Sequence, residues 1–496
     1  MDNLKTFHQL FGDSDDYTFR SFILGEEAPV EGAILYLEGV ADSKTINDTI
    51  LEALMVEARL VPPNKMGKQQ FWDRLYHGLM HMGSIKQATT VDEVSYLVAT
   101  GFVAFFLDGT PQAMLVEAKG WDKRGISQPA SKAVIRGPRD GFIETLRVNT
   151  AMIRRRIRDP NLKLKTVQIG RRTKTDVAIL YLAGVANPGL VDEVKQRLDR
   201  LDVDAVLESG YIEQLIEDDW LSPFPQVQAS ERPDECAAAL LEGRVCILVD
   251  NTPFALIVPV ALNTLMHSSE DYYHRWLPAT AMRVVRIIAN FLALLLPALY
   301  IAVTSFHSEV LPTKLALSLA ASREGVPFPT WLEALIMEFS FELLAEAGVR
   351  LPKNIGQTIG IVGALIIGQA AVQAGIVSQV VVIVVAFTSI GSFSMPSYDV
   401  ALTFRILRFF LMGLAALGGL YGIILGLVLI LAHLARLKSF GVGYLGPLAP
   451  GYMSDRKDTL LRAPLVAMHR RPYLWGPVDT KRLDDKRRES PTEGSP

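Results

Sequence analysis

Up to about residue 282, apolar runs of strand length alternate with amphipathic stretches; beyond it, apolar positions merge into runs far too long for a strand. In the first part, "ILYLEGVA" at 34–41 returns as "ILYLAGVA" at 179–186. Helical spacing follows each: Ile46, Ile50, Leu51 and Leu54 after the first, and Leu190, Val194 and Leu198 after the second. A second pair closes each half, "VDEVSYLVATGFVAFFLDGTPQAMLVEA" at 91–118 and "PDECAAALLEGRVCILVDNTPFALIVPV" at 233–260. Each predicts a short helix, an apolar strand, a tight turn at Asp108-Gly109 or Asp250-Asn251, and another apolar strand, because these turn residues tolerate positive φ. The repeats lie 145 and 142 residues apart, which predicts an internally duplicated α/β unit whose strands are covered by helices.

Between the halves, residues 136–176 predict a Gly-Pro turn, a helix ending in Arg154, Arg155 and Arg156, a strand, and a basic cluster containing Arg171 and Arg172. Three consecutive arginines fan around a helix and cannot form one narrow clamp. They read either as a solvated or intersubunit assembly surface or as a patch facing anionic lipid.

In the second part, Ile287–Ser308 (22 residues), Asn354–Tyr398 (45 residues) and Phe409–Ala435 (27 residues) contain no Asp, Glu, Lys or Arg. About 20 apolar residues cross a bilayer as a helix. The first run predicts one crossing, with a bend or a compensating neighbour at Pro297. The second predicts two short passes joined near Gly375, or one pass and a re-entrant segment. The third reads as one crossing whose glycines permit close packing, with Arg405 and Arg408 snorkelling at its start. Basic residues beyond His433 favour the cytoplasmic side for the tail, and the amino terminus has no cleaved export signal pattern. An even number of crossings follows from both expectations, four preferred and six allowed.

Between these runs, Glu338, Glu342 and Glu346 recur every four residues and share one helical face, whereas Glu333 points elsewhere. Like charges at that spacing repel unless water, cations or partner groups surround them. The helix is either interfacial with a solvated acidic stripe or the lining of a water-filled path that attracts cations. Composition narrows the alternatives: 50 Lys and Arg balance 53 Asp and Glu, leaving no global positive field for nucleic acid. The two cysteines, Cys236 and Cys246, lie in apolar surroundings and read as core. No nucleotide loop, nucleophile–base pair or metal cluster converges, so neither an enzyme nor a cofactor is expected.

"GPRDGFIETLRVNTAMIRRRI" at 137–157, "FELLAEAGVRLPKNIGQTIGIVGALIIGQAAVQAGIVS" at 341–378 and "SFSMPSYDVALTFRILRFF" at 392–410 occur in the order seen in the GerA family of bacterial spore germination proteins. The chain resembles its receptor A subunits, with SpoVAF-like members as a near branch. The matching positions include Gly137, Pro138, Gly141, Phe142, Glu144 and Asn149, then Glu342, Gly348, Arg350, Gly356, Gly360, Gly363, Gly368, Gln369, Gly375 and Pro396. The resemblance implies a multi-pass protein of the spore inner membrane, acting with a transporter-like B subunit and a C lipoprotein as a germinant-gated cation channel or signal transducer. It further implies a homo-oligomeric ring, of which a pentamer is one size. A SpoVAF-like member would instead act beside dipicolinate-channel proteins and amplify ion and dipicolinate release; a non-conducting scaffold and a secondary transporter are the remaining alternatives.

The expected organisation is therefore an N-terminal segment (1–20), a first α/β subdomain (21–135), a linking helix and basic segment (136–176), a second α/β subdomain (177–282), an all-α membrane domain (283–438) of about four helices plus an acidic helix at 331–347, and a basic cytoplasmic tail (439–496). Candidate ion-path or gating residues are Glu338, Glu342, Glu346, Pro297, Gly368, Gln369 and Gly375.

Overall fold

The structure, a computed structural model, describes residues 2–24, 30–42, 44–51, 72–73, 76, 85–118, 129, 132, 134–350, 367–449, 451–452 and 454–483. The chain divides into two compact units: Met1–Trp220 with Val227–Val260 and Met468–Pro496, and Leu221–Gln226 with Ala261–Ala467. The expected tail at 439–496 is thus shared between the two.

The first unit contains helix α1 (Asp2–Phe11) and two five-stranded sheets. One comprises β1 (Tyr17–Leu24), β2 (Val30–Leu37), β3 (Ile85–Ala88), β4 (Phe102–Leu107) and β5 (Ala113–Glu117). The other comprises β6 (Leu162–Ile169), β7 (Thr175–Leu182), β8 (Gln228–Ser230), β9 (Val245–Val249) and β10 (Ala255–Val258). Their strand orders, β1-β2-β4-β5-β3 and β6-β7-β9-β10-β8, are the same order used twice. Every pairing in both sheets is antiparallel.

Antiparallel strands ordinarily alternate apolar and polar residues when one face meets water. The continuous apolar runs here have another cause, because the first sheet is covered on both faces. Ile34, Val103 and Phe105 enter one buried cluster, whereas Leu35, Leu37, Phe102 and Ala104 enter another, beneath Phe7 and Phe11 of α1. The helices that precede the hairpins are α2 (Val91–Ala99) and α6 (Pro233–Leu241). Gly109 and Asn251 at the hairpin tips take φ +84° and +68°, the left-handed values that their side chains tolerate. Helix α4 (Pro188–Asp199) buries Leu190, Val194 and Leu198. The corresponding stretch after the first repeat is helical over Thr45–Leu51; Leu54 lies outside the described residues. Cys236 and Cys246 are buried.

The linking helix α3 (Leu146–Arg156) corrects the reading of the arginine run. Arg154 is 1% exposed and neither solvated nor lipid-facing. Its Nε and Nη2 donate to the two oxygens of Asp16, each at 2.8 Å, and Nη2 donates to Ser14 Oγ at 3.0 Å. Ser14 Oγ in turn accepts from Leu164 N at 3.0 Å, and Asp15 N donates to Leu164 O at 2.9 Å. The segment before the first sheet is thereby stitched to the edge strand of the second. Arg156 Nη2 donates to both oxygens of Asp140, at 2.7 and 2.6 Å, whereas Arg155 is exposed. The fan is three-fold because residues 100° apart on a helix meet three environments.

In the second unit, helix α7 (Trp276–Ser305) leads to α8 (Thr313–Ser322), α9 (Thr330–Arg350), α10 (Gln379–Ser392) and α11 (Tyr398–Arg436). Residues 367–373 are also helical and end in a turn where Gly375 has φ +65°. By length and composition, α7 and α11 are long and apolar enough to cross a membrane. Yet α11 is not straight. Gly419 takes φ 58°, ψ −134°, a conformation open essentially to glycine, and the helix folds back there. A Cβ on Gly422 would collide with the carbonyl of Leu414, and one on Gly426 would lie 2.6 Å from Leu411 Cδ2. At the open end of this hairpin, Thr403 Oγ1 donates to Pro223 O, and His433 Nε2 lies 2.8 Å from Ser222 Oγ. In a straight helix, residues 403 and 433 would be about 45 Å apart. The expected single crossing over Phe409–Ala435 is therefore two antiparallel arms, because the Gly418-Gly419 pair supplies the reversal.

Side-chain contacts set the direction of each helix. Tyr300, Ser378, Glu333, Gly325 and Gly375 gather at one end of the unit. Asn290 meets Ser394 and Met395 toward the other. Helix α7 runs toward the Gly375 end, α9 runs away, the chain is back by residue 374, α10 runs away, and the arms of α11 run toward it and away again. Residues 438–467 then pack beside the start of α7: Leu262 N donates to Tyr444 O at 2.9 Å, and Arg462 Nη1 donates to His274 O at 2.9 Å. They form a packed support for the bundle.

Asp16→Ala, which strands the buried Arg154 guanidinium, is expected to cost about 3–5 kcal/mol in denaturant unfolding of the detergent-solubilised chain. Spin labels at the exposed Ile406 and Leu431 should give a distance below about 20 Å in pulsed resonance, against about 38 Å for a straight helix.

Candidate functional site

The acidic helix α9 meets the first arm of α11. Glu338 and Glu342 are one turn apart on α9, and Arg405 and Arg408 are one turn apart on α11, so each pair occupies one face of its helix. Arg405 Nη1 donates to Glu342 Oε1 at 2.9 Å. Arg408 lies between both acids, with Nη1 3.2 Å from Glu338 Oε2 and Nη2 3.5 Å from Glu342 Oε2. Glu338 and Arg408 are 1% and 3% exposed.

The snorkelling expected of Arg405 and Arg408 is thus replaced by inward pairing. Their guanidinium groups are the partner groups that relieve repulsion along α9. The pairing is close but poorly saturated. Among the described residues, neither oxygen of Glu338, nor Nε of Arg405 or Arg408, has a hydrogen-bond partner of good geometry. Such a pair gains mostly Coulomb energy and gives little back for its desolvation. Glu346 lies on the same face of α9 and is exposed.

Glu333, set apart in the sequence reading, is also buried. Its Oε1 accepts from Ser378 N at the start of α10, where unpaired helix amides and the helix dipole favour a carboxylate, and Oε2 lies 3.5 Å from Arg323 Nε. Ser378 Oγ is 3.3 Å from Tyr300 Oη. One carboxylate therefore joins the Gly375 turn to α8 and α7.

The family signatures fall on these elements. Residues 5–474 match the family described as Bacillus/Clostridium GerA spore germination protein. The chain belongs to the GerA family. Among its relatives in Bacillus subtilis (strain 168), spore germination protein KA is 42% identical over 99% of this chain and 89% of its own length. Spore germination protein B1 is 42% identical over 97% of this chain and 98% of its own. The membrane protein YfkQ, uncharacterized, is 43% identical over 99% of this chain and 94% of its own. The crystal structure of the N-terminal domain of the A subunit of the Bacillus megaterium spore germinant receptor GerK3 matches 52% of this chain and 93% of that chain at 35% identity, with a TM-score of 0.42.

In this GerA-family chain the remaining candidate positions are dispersed. Pro297 is buried inside α7, Gly368 is buried and Gln369 exposed on the helical residues before the Gly375 turn. Arg171 and Arg172 are exposed, 3.3 Å from Asp202 and 3.5 Å from Asp204 respectively. Gly356, Gly360 and Gly363 of the signature lie outside the described residues. Sequence reasoning missed the pairing partners, although a signal existed: two arginines one turn apart at the edge of an apolar run match two glutamates one turn apart on another helix.

A second network sits at the foot of α7. Arg283, fully buried, lies 3.3 Å from Asp271 Oδ2 and 2.8 Å from Asp458 Oδ1, and Arg286 forks onto Asp271 at 3.1 Å. Tyr272 donates to Asp458 at 2.6 Å. His267, beside them, has a ring nitrogen 3.2 Å from Thr459 O. Burial, and then Arg283, push its pKa down to about 4. Burial pulls Asp271 upward, but Arg286 and Arg283 outweigh it and hold its carboxyl below the usual range.

The unfolded chain protonates His267 near pH 6.5, and the folded chain only near 4. The unfolded state therefore binds more protons in that window, and stability is flat above it and falls as pH drops through it. His267→Gln should remove on the order of 2–3 kcal/mol of the stability lost between pH 6.5 and 4, read from melts in detergent. Glu338→Ala or Arg408→Ala should each cost about 3–5 kcal/mol, whereas the double apolar replacement Glu338→Leu with Arg408→Met should unfold near the wild-type midpoint.

Proposed function

We propose that this GerA-family chain is an A-type subunit of a spore germination receptor, set in the spore inner membrane. There its helical unit transmits a germinant signal by gating cations or by passing on a change of state. The observation that carries this reading is the under-saturated Glu338–Arg408–Glu342–Arg405 ladder among apolar helices. Ionised groups at membrane depth are expensive and are characteristic of ion paths and moving parts. The relatives called spore germination proteins support the germination role.

The alternating directions of the described helices, with both arms of α11 counted separately, support an even number of traverses, of which four and six are the sizes proposed. With an even number, both the N-terminal unit and the end of the chain would face the cytoplasm. In a ring of copies, of which a pentamer is one size, Glu346 and the exposed edge of Glu342 would face a hydrated path. Glu338 would be released to it only when Arg408 moves. Pro297, Gly368, Gln369 and Gly375 would shape the helices that accommodate that movement. A B-type subunit and a C-type lipoprotein are the proposed partners, with germinant sensing on the B side.

The test is cation flux from proteoliposomes holding the chain with those partners. Arg408→Gln should raise basal flux about tenfold, the effect of shifting a two-state equilibrium by about 1.4 kcal/mol. The exchanged pair Glu338→Arg with Arg408→Glu should bring it back toward wild type. Equal flux in all three, with assembly intact, would refute a gating role for the ladder.

A further inference from the structure

Among the described residues, the duplication leaves one half with a cavity where the other half has a side chain. In the second half, Phe142 is 3% exposed and lies in one buried cluster with Ala178, Cys236, Leu248 and Ala255. Its segment is fixed at both ends by main-chain bonds. Phe142 N donates to Glu231 O, ahead of α6, at 2.8 Å, and Asn251 N, at the hairpin tip, donates to Glu144 O at 2.8 Å. Asp250 of the same hairpin then accepts from Leu146 N at 3.0 Å and caps α3.

The repeat places Ala33, Val94, Phe106 and Ala113 of the first half at the positions of those four residues. All four line one cavity of about 90 Å³, walled by Leu4 and Phe7 of α1. The two main-chain groups are repeated as well. Thr89 O stands where Glu231 O stands, ahead of α2, and Gly109 N stands where Asn251 N stands. Among the described residues neither makes a hydrogen bond, and both residues are exposed.

We propose that this cavity is the docking site for an extended segment of a partner protein that carries a phenylalanine-like aromatic residue. The segment takes in trans the place that Phe142 takes in cis. The aromatic ring enters between α1 and the β4–β5 hairpin, its own amide donates to Thr89 O, and the carbonyl two residues on accepts from Gly109 N. A free small molecule would fill the cavity without spanning both groups; a segment of three residues spans them, as Phe142 to Glu144 do. Glu31 and Asp108 on the rim favour a neutral or basic segment over an acidic one. Burying one aromatic side chain supplies the apolar part of the affinity, and two main-chain bonds supply register.

The full-length chain in mild detergent provides the test, with a fluorescent peptide Gly-Phe-Ile-Lys-Thr-Leu as probe, a copy of residues 141–146 with a basic residue at the fourth place. Binding is read by anisotropy. The expected result is saturable binding that weakens at least about tenfold when the peptide's Phe is Ser, and equally when the cavity is narrowed by Ala88→Leu. Free phenylalanine should not compete. A photo-crosslinking residue at Thr110, on the rim and outside the core, should capture a receptor partner through an aromatic-containing peptide, and the probe should displace it. Equal binding of the Phe and Ser peptides, displacement by free phenylalanine, or crosslinks only within the same chain or to lipid would each overturn the proposal. The crosslinking arm stands if Ala88→Leu fails to fold.

Discussion

Charge buried among apolar helices is the constraint on which the second unit depends. Arg408 has almost no contact with solvent and no means of losing its proton, so α9 must bring a carboxylate to it and α11 must stay where that carboxylate is. The same need recurs at Glu333, which answers the amides at the start of α10, and at Arg283, which is met by Asp271 and Asp458. Helix α7, helix α9 and the first arm of α11 are thereby located by ionic partners as well as by packing. The partners differ in quality. Arg286 forks onto Asp271 and Arg283 reaches Asp458 at 2.8 Å, whereas Glu338 and Arg408 are close without being aligned, which makes the α9–α11 contact the softer joint.

The first unit solves a related problem by repetition. Two sheets of one topology each need both faces covered, and the chain between them supplies shared parts. Helix α3 follows the segment that fills the second core with Phe142, while its last turn sends Arg154 back to Asp16 beside the first sheet. One stretch, 137–157, therefore serves both halves. This explains physically why its residue types are so particular: Phe142 fills, Asn149 closes the loop at Ile143 with bonds of 2.8 and 2.5 Å, Arg154 bridges, and Arg156 ties down Asp140. The halves are equal in topology and unequal in what covers them.

Much of the fold was legible because its signals are local. The paired "ILYL" strands, the Asp-Gly and Asp-Asn hairpin tips and the helices ahead of them depend on periodicity and turn chemistry over about ten residues, and those read directly. The arginine run was misread because three adjacent residues on a helix have three fates, and nothing local says that Asp16, more than a hundred residues earlier, comes to Arg154. The last apolar run was misread for a different reason. A Gly-Gly pair permits either a continuous helix or a reversal, and only packing against Leu411 and Leu414 selects the reversal.

By itself the sequence determined the duplicated α/β platform, the apolar helices after it, the acidic face of α9 and membership in the GerA family, since each is written in spacing, composition or extended motifs. Tertiary structure alone decided which charges meet, that α11 is a hairpin, and that among the described residues the cavity beside Ala33 lacks the aromatic its counterpart holds. Those are relations between residues distant in the chain, and a spacing rule carries no information about a distance that folding has yet to create.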